Sequence, residues 1–329
     1  MDYRNKLLEF YKDTDYQSLR QSVPRPREWH LPMLIHDNFN DEIDYFISHK
    51  QGSKIHISLD YNDMEDLRPT LLHESIFSFY KAFYNYLAAK NLYGSGAVHW
   101  INVTAYYAKL FLARAINTLC GKRSYVVNSE NYFFVKNIYN VLNPNKDVSE
   151  KSSYSLTLDF DIKSDKGSLV FHKERVNSHK EIWVNYTSLN HEELELTKMT
   201  DEKFYDNNPM HLSKERNDEN YTFEGFSQVD FNLDIGNFEQ YFERDIVKNE
   251  EELVYDDKLG IVFGVITELY HLYKDLSINR LPIEIKKLEY MISYMIKNDP
   301  LKNKLLDLCE EDLPSNNKYI TEMNWFYSN

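Results

Sequence analysis

Two long and nearly continuous apolar segments dominate the pattern of hydrophobic and polar positions along this chain. Residues 63–92 place apolar side chains at helical spacing and on other faces too, and residues 97–120 contain few polar interruptions. A helix that is apolar on almost every side belongs at the centre of a fold. Pro69 is expected in a first helical turn and Gly121 at a helix C-cap. Because a short Gly-Ser-Gly link at 94–96 joins the two segments, they predict a central αα-hairpin.

Alternation of apolar and polar residues predicts strands on both sides of this hairpin. Residues 54–61 and 153–164 alternate in the way that half-buried strands do. Asp165-Lys166-Gly167 predicts a hairpin turn after the second of them. Further β-type runs lie at 124–127, 131–137, 167–176 and 181–189. We expect neighbouring strands among these to form a small antiparallel meander.

Helical patterns return at both ends of the chain. Residues 1–12 are amphipathic, and longer helices are predicted at 259–279 and 283–298. Three prolines in the connector at 23–32 predict extended backbone. Runs of helices followed by runs of strands predict an α+β fold that is mainly helical. We expect four regions, namely an N-terminal segment with the hairpin, an antiparallel β region, an acidic segment and a C-terminal helical region that packs on the hairpin: 1–123, 124–188, 189–256 and 257–329.

The negative charge is concentrated in the third of these regions. The formal net charge of the chain is −14, and residues 189–256 hold 19 Asp and Glu against 6 Lys and Arg. Because the rest of the chain is nearly balanced, repulsion from nucleic acid does not follow from the total. The acidic segment is interpreted as a solvated surface, a docking surface for a basic partner, or a cover over a basic site.

Composition favours a soluble cytoplasmic protein. Hydrophobic residues make up 42% of the chain and aromatic residues 15%, which is enough for a large core. The absence of long uncharged apolar runs and the charged N-terminus predict neither a membrane span nor a signal peptide. Cys120 and Cys309 lie in apolar helical patterns, as reduced thiols do. Phosphate-binding glycine loops, Cys-x-x-Cys pairs and Gly-x-Ser-x-Gly are absent, so we expect no cofactor.

Arg68 and His73 form the first candidate site, at the start of the predicted hairpin. A histidine can move a proton and an arginine can stabilise a pentacovalent phosphate, so the two together can cleave RNA without a metal. The alternative is a histidine at a helix start beside an ion-paired arginine, because this spacing is common.

Asp159, Asp161 and Glu174 form the second candidate site, together with Lys163. Carboxylates and a lysine on adjoining strands are typical of metal-dependent nucleases. Alternation alone also places Asp159, Asp161 and Lys163 on the solvent face of any half-buried strand. The pattern therefore indicates either a metal site or an ordinary exposed strand face.

Basic and aromatic residues in the proline-rich connector form a third candidate. The set of Arg25, Arg27, Trp29 and His30 has the chemistry to stack on and pair with single-stranded nucleic acid. A proline-stiffened linker packed on the body of the protein would show the same residues. The connector therefore predicts either a nucleic-acid contact or a structural link.

Lys109 and Arg114 interrupt the most apolar helix. Charges in such surroundings require an ionic partner or a water-filled cleft. They predict either a functional pocket or partner contact beside the hairpin, or structural pairing with Glu74.

The helix at 105–122, AYYAKLFLARAINTLCGK, resembles the tyrosine- and alanine-rich helix of HEPN-like domains, and especially of YaaC-like bacterial proteins. Residues 269–288 are similar to the C-terminal pattern of the YaaC-like proteins. The resemblance implies a central helix pair, a β-rich middle and a helical C-terminus. HEPN ribonucleases hold an Arg and a His, four to six residues apart, in a cleft between two protomers, which here implies Arg68 and His73 of a homodimer. Pro69 stands where these enzymes usually have a polar residue.

The resemblance also implies a context of bacterial conflict and phage-defence operons. We therefore expect an accessory or regulatory subunit that binds a protein partner, such as an ATPase or nuclease of the same operon. A HEPN-type ribonuclease using Arg68 and His73 is the first alternative, and a metal-dependent nuclease is the second. The sequence leaves open whether the protein is an enzyme. Nucleic acid is also expected as a possible partner.

Overall fold

The two apolar segments become long neighbouring helices in the computed structural model. In chain order the elements are α1 (Tyr3–Tyr11), α2 (His30–Asn38), β1 (Lys54–Asp60), α3 (Leu67–Leu92), α4 (Val98–Leu119), β2 (Lys122–Val127), β3 (Tyr154–Asp161), β4 (Lys166–His172), α5 (Ser178–Thr187) and α6 (Glu250–Asp275). Short 3₁₀ turns lie at Asn62–Met64 and Thr197–Thr200. The structure describes residues 2–14, 30–39, 41–42, 54–92, 98–127, 154–172, 178–201, 204, 250–276, 288 and 291.

The chain forms two units, Met1–Pro282 and Ile283–Asn329. In the second unit the structure describes Leu288 and Met291, both helical and buried. All elements named above belong to the first unit. No helix in the described part of the chain is long and apolar enough to span a bilayer.

Helices α3 and α4 form the predicted central hairpin. Sixteen of the 26 residues of α3 are buried, on every side of the helix. Pro69 lies in the first turn of α3, as predicted. Gly121 ends α4 with a φ of 77°, and its N–H donates to the Thr118 carbonyl at 3.1 Å, which confirms the predicted C-cap. Helix α6 contacts both members of the hairpin.

The four described strands form one antiparallel sheet in the order β1-β4-β3-β2. Strands β2, β3 and β4 are the predicted meander, and β1 joins them from the other side of the hairpin in sequence. Along β3 the buried residues Leu156, Leu158 and Phe160 alternate with more exposed ones. The alternation predicted from the sequence is therefore confirmed for β1 and β3. The predicted strand at 131–137 lies outside the described residues.

The β3–β4 turn lies slightly earlier than predicted. Residues 162–165 form the connection, and Asp165 adopts a φ of 56°. Gly167, predicted as a turn residue, instead lies in β4 opposite Phe160. A Cβ at Gly167 would lie 2.5 Å from the Asp159 carbonyl oxygen. Glycine is therefore required there by the close approach of two strands rather than by the turn.

Two predicted elements are wrong. The β-type run at 181–189 belongs largely to helix α5, because Trp183 and Tyr186, three residues apart, are both buried on one helical face. Packing against α4 outweighs the strand preference of these residues. The extended connector predicted at 23–32 is wrong at 30–32, because helix α2 starts at His30 and contains Pro32, and residues 23–29 lie outside the described residues. A first helical turn tolerates proline because its N–H groups have no partner inside the helix.

Part of the acidic segment packs into the core. Leu194, Leu196 and Met199 have no exposed surface, while Glu192, just before them, and Glu195, between the two leucines, are exposed. The first residues of the segment therefore alternate buried apolar anchors with solvated carboxylates. Helix α6 begins at Glu250, inside the end of the acidic segment and nine residues before the predicted helix start.

His191, in the same segment, makes stability depend on pH. Burial lowers its pKa to about 4, and its ring packs 4.2 Å from that of Tyr186. Unfolded histidine takes up a proton near pH 6.5, so protons favour the unfolded state between about pH 6.5 and 4. We expect the free energy of unfolding to be about 2 kcal/mol lower at pH 5 than at pH 7 because of this residue.

The measurement is urea denaturation at pH 7 and pH 5. His191→Gln should lose most of this difference, whereas His56→Gln, which changes an exposed histidine of β1, should retain it. An equal pH dependence in wild type and His191→Gln would contradict the assignment.

Candidate functional site

One face of helix α4 forms the wall of a pocket beside the hairpin. The lining residues follow the i, i+3, i+4, i+7 spacing of a single helical face. They are, from the start of this face to its end, Tyr107, Leu110, Phe111, Arg114, Asn117 and Thr118. The face is therefore aromatic and apolar at its first turn and polar at its last.

Three further elements complete a pocket of about 210 Å³. Helix α3 contributes Lys81, strand β2 contributes the run 122–124, and helix α5 contributes His179, Glu181, Ile182 and Asn185. Helix α5 is held against α4 because Asn117 donates to the Ile182 carbonyl at 2.7 Å and the Tyr106 hydroxyl lies 3.0 Å from His179 Nδ1.

The lining is rich in positive charge. Lys81, Arg114, Lys122 and Arg123 face a single acidic residue of the described lining, Glu181. Lys122 pairs with Asp159 at 2.6 Å, and Arg123 pairs with Glu74 at 3.1 Å. With these two acids counted, the described residues in and next to the lining comprise four cations and three carboxylates. The Lys81 ammonium lies 5.4 Å from the centre of the Phe111 ring, at cation–π distance.

A buried ionic network holds Arg123, one of the lining residues, in place. Glu74 Oε2 accepts from Arg123 Nε at 3.1 Å and from the Tyr125 hydroxyl at 3.0 Å. Burial, and then the neighbouring Glu74 carboxylate, raise the pKa of Tyr125 well above its usual range, so its hydroxyl stays protonated and donates. Arg123 is thus held in one position by a carboxylate on α3.

Two buried polar atoms on uncharged side chains of the wall have no hydrogen-bond partner among the described residues. They are Thr118 Oγ1 and Asn117 Oδ1, on residues that are 0% and 2% exposed. An unsatisfied buried polar group costs about 1–3 kcal/mol. Such groups call for an explanation, and a ligand that supplies hydrogen bonds is one.

Arg68 and His73 lie away from this pocket, in the core. Arg68 is 7% exposed; it donates to the Phe10 carbonyl at 3.1 Å and to the Tyr61 hydroxyl at 2.9 Å. His73 is 0% exposed, and its ring packs 4.9 Å from that of Phe77. An RNA phosphate could reach these side chains only if α3 moved away from its neighbours.

The candidate metal residues are spread over an exposed strand face. Asp159 pairs with Lys122, and Asp161 accepts from the Ser164 hydroxyl at 2.6 Å in the turn. Lys163 pairs with Glu193 at 2.7 Å. Glu174 lies outside the described residues. No group of three metal-ligating side chains occurs in the described part of the chain.

The remaining candidates divide between this pocket and other places. Arg114 lines the pocket, whereas Lys109 is buried elsewhere on α4. Glu74 pairs with Arg123 rather than with either of them. Arg25, Arg27 and Trp29 lie outside the described residues.

Sequence reasoning missed His179, Glu181 and Lys122 as pocket residues. His179 is 65 positions beyond Arg114 and lies just before a run that was interpreted as a strand. No local spacing connects these residues, because the pocket forms only when α5 packs on α4. The one useful signal was a charge at Arg114 on an apolar helix.

Comparison with known proteins supplies no relative for this site. No protein-family model, curated protein or solved structure matches the chain.

Proposed function

We propose that this protein is a binding subunit that recognises an anionic ligand in the pocket between α3, α4, β2 and α5. In this proposal it acts as an accessory or regulatory component of a bacterial multi-protein system. The observation that supports the proposal is that four cationic side chains and one carboxylate occur in the described lining of a pocket of about 210 Å³.

Arg114 is the proposed anchor of the anion. It is partly buried among apolar residues of α4, where a charge interacts more strongly than it does in water. A guanidinium offers a planar fork of N–H donors that suits carboxylate and phosphate oxygens. Lys81 approaches from a different helix, so two elements would contribute charge to one ligand.

Binding is favoured over cleavage at Arg68 and His73 because both side chains are buried and take part in core packing. The resemblance to HEPN-like and YaaC-like proteins is then consistent with a non-catalytic relative. In that setting the regulated component would be a protein partner such as an ATPase or nuclease, and ligand occupancy would control the association.

Arg114→Gln is expected to weaken anion binding by about tenfold or more, because a charge-assisted hydrogen bond is lost. The measurement is the thermal shift produced by inorganic phosphate or sulfate, with chloride at equal ionic strength as the reference. Wild type should be stabilised by mass action in phosphate and sulfate, and the variant much less.

Lys180→Gln is the matched control, since Lys180 is exposed on α5 and does not line the pocket. It removes the same charge and should bind phosphate as wild type does. Equal stabilisation of all three proteins, or no anion effect on wild type, would contradict the proposal. The same three proteins test the accessory role. If the pocket controls association with a protein partner, anions should change the amount of partner bound by wild type and by Lys180→Gln, but not the amount bound by Arg114→Gln.

A further inference from the structure

The pocket has two chemically different ends along α4. Tyr107 and Phe111 line the first end and Arg114 and Thr118 the second. At a rise of about 1.5 Å per residue, the stretch from Tyr107 to Thr118 is about 16 Å long. A ligand that fits this face therefore has an apolar part and an anionic part, separated along one axis.

The aromatic end suits a flat ring. The rings of Tyr107 and Phe111 stack at 6.4 Å with an angle of 29°, and His179 meets Tyr107 edge-on at 6.1 Å. Tyr107 and Phe111 are both partly exposed. Nucleobases stack on such side chains, whichever base is present.

The polar end suits a phosphate group. Arg114 supplies the charge. The Thr118 hydroxyl of the same lining is buried without a partner among the described residues, and it would add a hydrogen bond where the wall shifts to admit the ligand. The first turn of α5 lines the same pocket through His179 and Glu181. A helix N-terminus adds a positive partial charge that favours an anion.

Glu181 requires a different explanation, because a carboxylate repels an anion. It accepts from the Ser124 hydroxyl at 3.3 Å, and a carboxylate has lone pairs for several further donors. A sugar hydroxyl is the donor that such a carboxylate binds beside a nucleotide phosphate. The base would then contact the aromatic rings, the sugar would contact Glu181, and the phosphate would contact Arg114.

We propose that the ligand of this pocket is a nucleoside monophosphate, an inference that rests on the proposed anion-binding function. The pocket volume of about 210 Å³ is below the range of about 300–1,000 Å³ typical for drug-sized ligands. The ribose phosphate fills the enclosed part, and the base lies against the partly exposed aromatic rings.

The test is calorimetric titration of the full chain with nucleoside 5′-monophosphates, the matching nucleosides, ribose 5-phosphate and inorganic phosphate. We expect the monophosphate to bind at least about tenfold more tightly than any of its parts. Phosphate binding without a gain from ribose and base would overturn this inference and leave the anion-binding function standing. Absence of binding by every probe would overturn both.

Three variants assign the parts of the ligand. Phe111→Leu should weaken binding of the monophosphate by about fivefold or more and weaken binding of inorganic phosphate by much less. Phosphate binding that is retained also shows that the variant is folded. Glu181→Gln should reduce the preference for ribonucleotides over 2′-deoxyribonucleotides, and Lys180→Gln should change neither. A 5′-phosphorylated oligonucleotide that binds more tightly than the free monophosphate would overturn the proposal in favour of a nucleic-acid end.

Discussion

Replacing Glu74 with alanine is expected to lower the free energy of unfolding by about 3–5 kcal/mol, because it leaves the Arg123 charge buried without its carboxylate. Glu74 and Arg123 are 5% and 8% exposed, and their side chains meet at 3.1 Å. The Tyr125 hydroxyl loses its acceptor at the same time. Urea denaturation followed by circular dichroism measures the loss.

Two comparisons separate the buried charge from a general effect of mutation. Glu9→Ala removes an acid whose partner, Lys12, is about as exposed as Glu9 itself, and such a surface pair contributes about 0–1 kcal/mol. The double variant Glu74→Leu/Arg123→Met replaces the buried pair by apolar side chains and should recover much of the stability. If the double variant is as unstable as Glu74→Ala, the uncompensated charge is not the cause.

The fold was predictable wherever a single physical signal controlled a whole element. The helices α3 and α4 are so apolar that only a central position satisfies them, and β1 and β3 alternate because one face of each is buried. Helix α5 was not predictable from local pattern, because Trp183 and Tyr186 favour strands by propensity. Their burial against neighbouring elements decides in favour of the helix, and that packing is absent from a local window.

The candidate site was predictable only at Arg114. Its charge violates the apolar pattern of α4, and a violated pattern often marks a functional position. Lys81, Arg123 and His179 do not violate any pattern in their own segments. These residues form a site because the hairpin, β2 and α5 lie next to one another in the fold. The contact of such distant segments depends on the whole topology, which local sequence patterns do not contain.

Replacing Trp183 with alanine is expected to cost about 3–5 kcal/mol of unfolding free energy, as large cavities in a core do. Trp183 is 0% exposed, and its ring lies 5.6 Å from Tyr186 and 6.4 Å from Phe204. It therefore anchors the start of the acidic segment to α5, next to the pocket. Chemical denaturation of both proteins at pH 7 measures the difference.

Trp100→Ala is the matched control, because Trp100 is 55% exposed on α4 and its loss should change stability by about 0.5 kcal/mol or less. Trp183→Phe should cost less than Trp183→Ala, since the indole Nε1 is buried without a hydrogen-bond partner in the described part of the chain and phenylalanine removes that polar group while retaining most of the ring. Equal losses of unfolding free energy for Trp183→Ala and Trp100→Ala would show that the buried tryptophan does not hold α5 in place. Other contacts would then have to position α5 at the pocket.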